Sequence, residues 1–151
     1  MERGLVITNG TELDAALLTE AEATARGSDA GLVVLSLMDP DEFEEDIERL
    51  EAIGEVEHTH YGEDTVLNAE RDSLREEAEG VVGDGVDVDC HVSVAPTGDH
   101  VETALDVSER FDCDHLFLTG QKRTPTGKAL FGDVTQQLLL QFPGYVTVSL
   151  E

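Results

Sequence analysis

Short strand-like apolar runs alternate with helix-like stretches along the whole chain, and this alternation leaves few folds open. Leu5, Val6 and Ile7 form an apolar run that closes at Asn9-Gly10. Behind it, Leu13, Ala16, Leu17, Ala21 and Ala25 keep the spacing of one helix face, opened by a capping box at Thr11-Glu12-Leu13-Asp14 and ended by Gly27 as a left-handed cap. Residues 32–38 are almost continuously apolar, as a parallel strand covered on both faces requires, and Asp39-Pro40 closes them. Residues 41–85 read as two charged helices, with Phe43, Ile47 and Leu50 on one stripe and Leu67, Leu74, Ala78 and Val81 on the other. Gly54 and Gly62 punctuate them, with a loop between.

Further on, Val86, Val88, Cys90, Val92 and Val94 alternate with polar residues, the period of a strand with one wet face near a sheet edge. Asp99 opens a helix with Val101, Ala104 and Leu105 inward, ending about Phe111. Residues 115–119 form a fourth strand. A loop over 120–132 precedes a short helix from Asp133 to about Phe142, with Val134, Leu138 and Leu139 inward, and residues 145–150 form a last alternating strand. Strands separated by helices pair in parallel through right-handed crossovers. The expected fold is therefore α/β: one domain over residues 1–151, an open five-stranded parallel sheet with helices on both faces. Ligands of such sheets lie beyond the carboxyl ends of the strands where strand order reverses. Here that means Asn9-Gly10, Met38-Asp39 and Thr119-Gly120.

Charge narrows the function classes. With 34 acidic against 9 basic residues, the formal charge is −25. The regular apolar periodicity argues against disorder, so the charge belongs to the surface. Such a field repels nucleic acid and anionic lipid, and no run of 18 apolar residues or basic leader followed by an apolar stretch is present. A cytoplasmic protein that binds neither nucleic acid nor membrane is expected. Only two lysines, many acids and small apolar residues in place of aromatics suit a halophilic protein adapted to multimolar salt. Cys90 and Cys113, in apolar strand surroundings, read as buried free thiols.

One segment breaks the charge pattern. Residues 1–114 hold 32 of the 34 acids, whereas Lys122, Arg123 and Lys128 fall within seven residues of the loop after the fourth strand. Glycines there let backbone amides approach a ligand, and the helix start at Asp133 adds free N–H donors for an anion. Gly120 and Gly127-Lys128 are not spaced as a Walker A loop, and Ala129 stands where that loop needs a hydroxyl for Mg²⁺. His58 and His60 beside Glu57 lack a third convergent metal ligand. Cys90-His91 does not form a catalytic pair, because neighbours on a strand face opposite ways, and Cys113-Asp114-His115 lies at a strand entry with no orienting third group.

The strand ending in Asn9-Gly10-Thr11, the acidic middle helices, the strand-Gly120 loop, Phe131-Gly132-Asp133 and the last strand together resemble the universal stress protein family over essentially the full chain. The resemblance implies a Rossmann-like fold of the adenine nucleotide alpha hydrolase-like kind. It also implies a loop of the form Gly-x2-Gly-x9-Gly-(Ser/Thr) that wraps the phosphates and ribose of ATP. Gly120 and Gly132 match the first and last glycines. Arg123 stands at the second, the spacer has eight residues, and Asp133 replaces the Ser or Thr. Asn9 takes the place of the family's first-strand Asp, and Leu37 that of the residue lining adenine.

The resemblance places a nucleotide against Thr8, Asn9, Leu37, Thr119, Gly120, Lys122, Arg123, Gly132, Asp133, Val134 and Thr135. A carboxylate at Asp133 would cap the helix itself and compete with phosphate, while Thr135 offers a hydroxyl nearby. The expected function is a homodimer, joined through the last strand from Tyr145 to Leu150, that binds ATP or a related adenine nucleotide, with Mg²⁺ as a candidate companion ion, in a regulatory stress response. It is expected not to be an enzyme beyond slow ATP hydrolysis at most. The alternative is a member without nucleotide that acts as a protein interaction module.

Overall fold

The computed structural model describes residues 1–9, 14–54, 63–120 and 132–150. Five strands make one sheet: β1 (Arg3–Asn9), β2 (Gly31–Met38), β3 (Val88–Val94), β4 (His115–Thr119) and β5 (Tyr145–Ser149). Their spatial order is β3-β2-β1-β4-β5, and every neighbouring pair is parallel. The chain therefore winds outward from β1 through β2 to β3, then returns across β1 to β4 and β5. Strand order reverses between β1 and β4.

Five α-helices are present among the described residues: α1 (Ala15–Ser28), α2 (Pro40–Gly54), α3 (Glu63–Val82), α4 (His100–Arg110) and α5 (Asp133–Gln141). Side chains of alternate strand residues separate the core into two halves, as the period of a strand demands. On one face Val6, Val34, Cys90 and Phe117 pack with Leu17, Leu18 and Ala21 of α1 and Leu74 and Ala78 of α3. On the other, Leu5, Ile7, Leu35, Leu37 and Leu118 pack with Val101 and Ala104 of α4 and Leu138 of α5. Helices thus cover both faces, and β3 and β5 are the edges.

Several helix ends depart from the sequence expectation. Asp14 alone caps α1, its carboxylate accepting the Leu17 N–H at 3.0 Å; the rest of the expected capping box, Thr11 to Leu13, lies outside the described residues. The later start turns Leu18 inward and leaves Ala16 exposed. Gly27 does not end this helix. Asp29 does, at φ 53°, with its N–H directed to the last carbonyls, a conformation that Asp tolerates better than most side chains. The third helix stops at Val82 rather than Gly85, because Gly83 and Gly85 take φ of 69° and 102°. Its buried stripe is Val66, Leu74, Ala78 and Val82, with Leu67 and Val81 at the margin. In α4 Val107 joins the core while Leu105 is only half-buried, and in α5 Leu139 is exposed.

The cysteines are free, Cys90 buried and Cys113 partly so. Burial is the main force that pushes each thiol up to about 11, against the opposing pull of Arg75 on Cys90 and Arg3 on Cys113. Only about one thiol in a thousand is then ionised at pH 8, and the thiolate is the nucleophile. Iodoacetamide is expected to modify the native chain slowly, the rate climbing about tenfold per pH unit, and to react readily once the chain is unfolded. Rapid labelling of both thiols in the native state at pH 8 would contradict this.

Candidate functional site

A cavity of about 410 Å³ opens beyond the carboxyl ends of the strands, on the face covered by α4 and α5. Leu37 and Asp39 enter it from the end of β2, Thr119 and Gly120 from the end of β4, and Gly132 to Thr135 from the start of α5. Seven of the residues expected from sequence thus meet in one place: Leu37, Thr119, Gly120, Gly132, Asp133, Val134 and Thr135.

The start of α5 sets the chemistry. Gly132 is the N-cap, extended at φ −64° and ψ 161°, and its carbonyl accepts the first helical bond from Gln136 N–H at 2.9 Å. The N–H groups of Asp133, Val134 and Thr135 therefore have no acceptor within the helix. Asp133 is not the N-cap expected from sequence. It is the first helical residue, exposed, and none of the described residues donates to its carboxylate. A residue with no side chain occupies the capping position, so no side chain of the described residues takes up these amides, while the Asp133 charge still stands beside them.

Alternation along the strands sorts the remaining expectations. Thr8 shares the parity of Val6 and so faces α1 and α3, away from the cavity; it is buried, and its hydroxyl has no hydrogen-bond partner among the described residues. Asn9 ends β1 in register with Leu37. The Thr119 hydroxyl likewise points to the α1 side, donating to Asp14 at 3.3 Å, so Thr119 offers the cavity its backbone. Thr135 directs its hydroxyl proton to the Thr119 carbonyl at 3.4 Å, which leaves its oxygen to accept rather than donate. Lys122 and Arg123 lie outside the described residues, as do His58 and His60.

Gly120 has a packing role as well. Its N–H donates to the Ser149 carbonyl at 2.7 Å, and a Cβ there would stand 2.8 Å from Leu150 Cδ2 and 3.2 Å from Val148 Cγ1. The glycine lets β5 lie close against the end of β4.

Asp39, at a strand end where the crossover rule expects a ligand, also lines the cavity, and sequence reasoning missed Glu42, Thr97 and His100, which complete the wall. Asp39 caps α2 by accepting Glu42 N–H at 2.8 Å. The buried His100 turns Nε2 to the Ala95 carbonyl at 2.8 Å and the Met38 carbonyl at 3.3 Å. Both partners are acceptors, so Nε2 carries the proton and ties the end of β2 to the end of β3. The Asp39-Pro40 pair was a visible signal for a helix start beside the site; nothing in the local sequence marks His100.

The family model described as the universal stress protein family matches residues 1–149. The chain belongs to the universal stress protein family. No curated protein sequence matches it. Among solved structures it is similar to a universal stress protein from Archaeoglobus fulgidus, with 20% identity, 98% of each chain covered and a TM-score of 0.61. A universal stress protein from the same organism, in complex with dAMP, is 16% identical at a TM-score of 0.56, with 98% of this chain and 97% of that chain covered. One in complex with cAMP is also 16% identical at 0.56, with 98% and 95% covered. At these identities the likeness is one of fold. The universal stress protein assignment agrees with the sheet order, and the cavity sits where that sheet reverses direction.

Proposed function

We propose that this universal stress protein holds an adenine nucleotide in the strand-end cavity and serves a regulatory stress response without turning over substrate beyond slow ATP hydrolysis. The observation that carries the reading is the start of α5, where three amides with no acceptor in the helix, and no capping side chain among the described residues, meet the ends of β2 and β4 around a space of about 410 Å³. Helix N-termini of this kind bind phosphate. Structurally similar family proteins in complex with dAMP and cAMP support the choice of an adenine nucleotide. Leu37 and Val134 supply apolar surface for a base. The described charged residues lining the cavity, Asp39, Glu42 and Asp133, are all acidic, so a triphosphate would enter with Mg²⁺ rather than bare.

The same carboxylates favour a second reading, an interaction module that holds no nucleotide. In either case we take the chain, residues 1–151, as one cytoplasmic, salt-adapted domain that forms a homodimer through the β5 edge. Tyr145 is 76% exposed there, and Leu140 on the adjoining helix 78%.

Denaturing protein purified in high salt should release an adenine nucleotide detectable by mass spectrometry, and calorimetric titration with ATP and Mg²⁺ should give heat. Silence in both would select the module. The sharper variant is Asp133→Ser. Removing an exposed charge beside the first helical turn is worth about 0.3–1 kcal/mol, so ATP affinity should rise about two- to fivefold. An unchanged titration would show that phosphate never approaches α5.

A further inference from the structure

The free edge of β3 gathers a different set of groups. The strand pairs with β2 from Val88 to Val94 and has no strand on its other side. His91, in the middle of it, faces α4 and packs its ring on Phe111 with centroids 4.8 Å apart. Its Nε2 is buried and has no hydrogen-bond partner among the described residues. An unpaired buried nitrogen is uncommon enough to require an explanation, and a missing ion or water is a usual one.

Two cavities share His91 as a wall. One, of about 400 Å³, is also lined by Asn68 and Arg71 of α3; the other, of about 230 Å³, by Ser93, Thr103, Asp106 and Arg110. Arg71 donates to the neutral Asn68 carbonyl oxygen at 3.1 Å. Among the described residues, neither Arg71, Arg75 nor Arg110 forms an ion pair with a carboxylate. In a chain with 34 acids and 9 bases, two arginines without an ion-pair partner among the described residues, lining the cavities on either side of one histidine, are an unusual local concentration of positive charge.

We propose that this edge is a second anion site, in which Arg71 and Arg110 grip a phosphate group from the two sides of the sheet and His91 supplies the third donor. Guanidinium groups suit tetrahedral oxyanions through forked, charge-assisted hydrogen bonds that persist where simple charge attraction is screened. An anion seated at the free edge of β3, where the two cavities meet at His91, gives the unpaired ring nitrogen a partner. The charges facing His91 are Asp89 on its own strand, Arg71 and Arg75 from α3, and Asp106 and Arg110 from α4. Asp89 and Asp106 oppose the anion, and neither is paired with the arginines. Burial chiefly, then Arg110, Arg71 and Arg75, hold the imidazole below its ordinary pKa against the pull of Asp89. A bound anion must shift it upward.

The site is separate from the strand-end cavity and stands or falls without it. The test follows the His91 ring proton signal through a pH titration by NMR, with the full chain in sodium chloride and then in 50 mM inorganic phosphate at equal ionic strength. A His91→Gln variant assigns the signal. Phosphate is expected to raise the His91 midpoint by about half a unit or more, and each of Arg71→Gln and Arg110→Gln to reduce the rise, with the pair abolishing it. These arginines sit on helix surfaces, and circular dichroism verifies that the variants stay folded. A midpoint unmoved by phosphate, or moved equally in the paired variant, overturns the site.

Discussion

Phe117→Ala should cost about 3–5 kcal/mol of folding stability, the range for removing a large buried aromatic. Phe117 is fully buried in β4, in register with Val6 of β1, where the two halves of the winding meet. Its ring lies in the core with α1 and α3 and stacks on His115, centroids 4.4 Å apart and planes 8° from parallel. It also fills the room over Gly4: a Cβ on that glycine would stand 2.9 Å from Phe117 Cε2. Alanine would leave a void bounded by the central strand, with no neighbouring side chain at position 4 to refill it. Urea unfolding followed by circular dichroism, in the same salt for both proteins, measures the loss. A difference below about 1 kcal/mol would mean that the core closes over the gap.

A second large effect is expected at Gly144, where alanine adds an atom instead of removing several. A Cβ there would lie 2.6 Å from the Asp114 carbonyl oxygen and 2.9 Å from the Phe142 ring. The first neighbour is backbone and cannot turn aside. That same carbonyl accepts the Tyr145 N–H at 3.1 Å, at the beginning of the pairing between β4 and β5. Gly144→Ala should therefore destabilise by about 1–3 kcal/mol, as overpacking does, and should do so locally. Hydrogen exchange is expected to quicken at Tyr145 and Gly120, whose amides bond across this pair, while β1 and β2 keep their protection. Uniform quickening over the sheet, or none at all, would contradict the local account.

The sheet was legible because strand periodicity is written in contiguous residues. The nearly continuous apolar run of β2 marked a strand buried on both faces, and the alternation in β3 marked an edge. Helix ends were less so. A left-handed cap is read from glycine, and this chain uses Asp29, so Gly27 was the wrong stop. For the site, the strand ends and the start of α5 were readable from the crossover rule, and seven expected residues line the cavity. The same alternation turns Thr8 to the opposite face from Leu37, a distinction available from the parity of Val6 and Ile7. His100 and the arginines around His91 could not be found this way. Residues 71, 91 and 110 come together only through packing of two helices across one strand, which no local pattern records.

The left-handed turns at Asp29 and Asp112, both at φ 53°, carry a consequence for how such a chain could change over evolutionary time. Glycine adopts this conformation without the steric cost that a Cβ brings. Most substitutions that lighten a surface charge trade one contact for another, but here backbone geometry itself favours the replacement. Asp29→Gly and Asp112→Gly would each remove a carboxylate at a helix exit while relieving torsional cost. These two positions form a low-barrier mutational path toward a less acidic descendant with the sheet and its cavity intact.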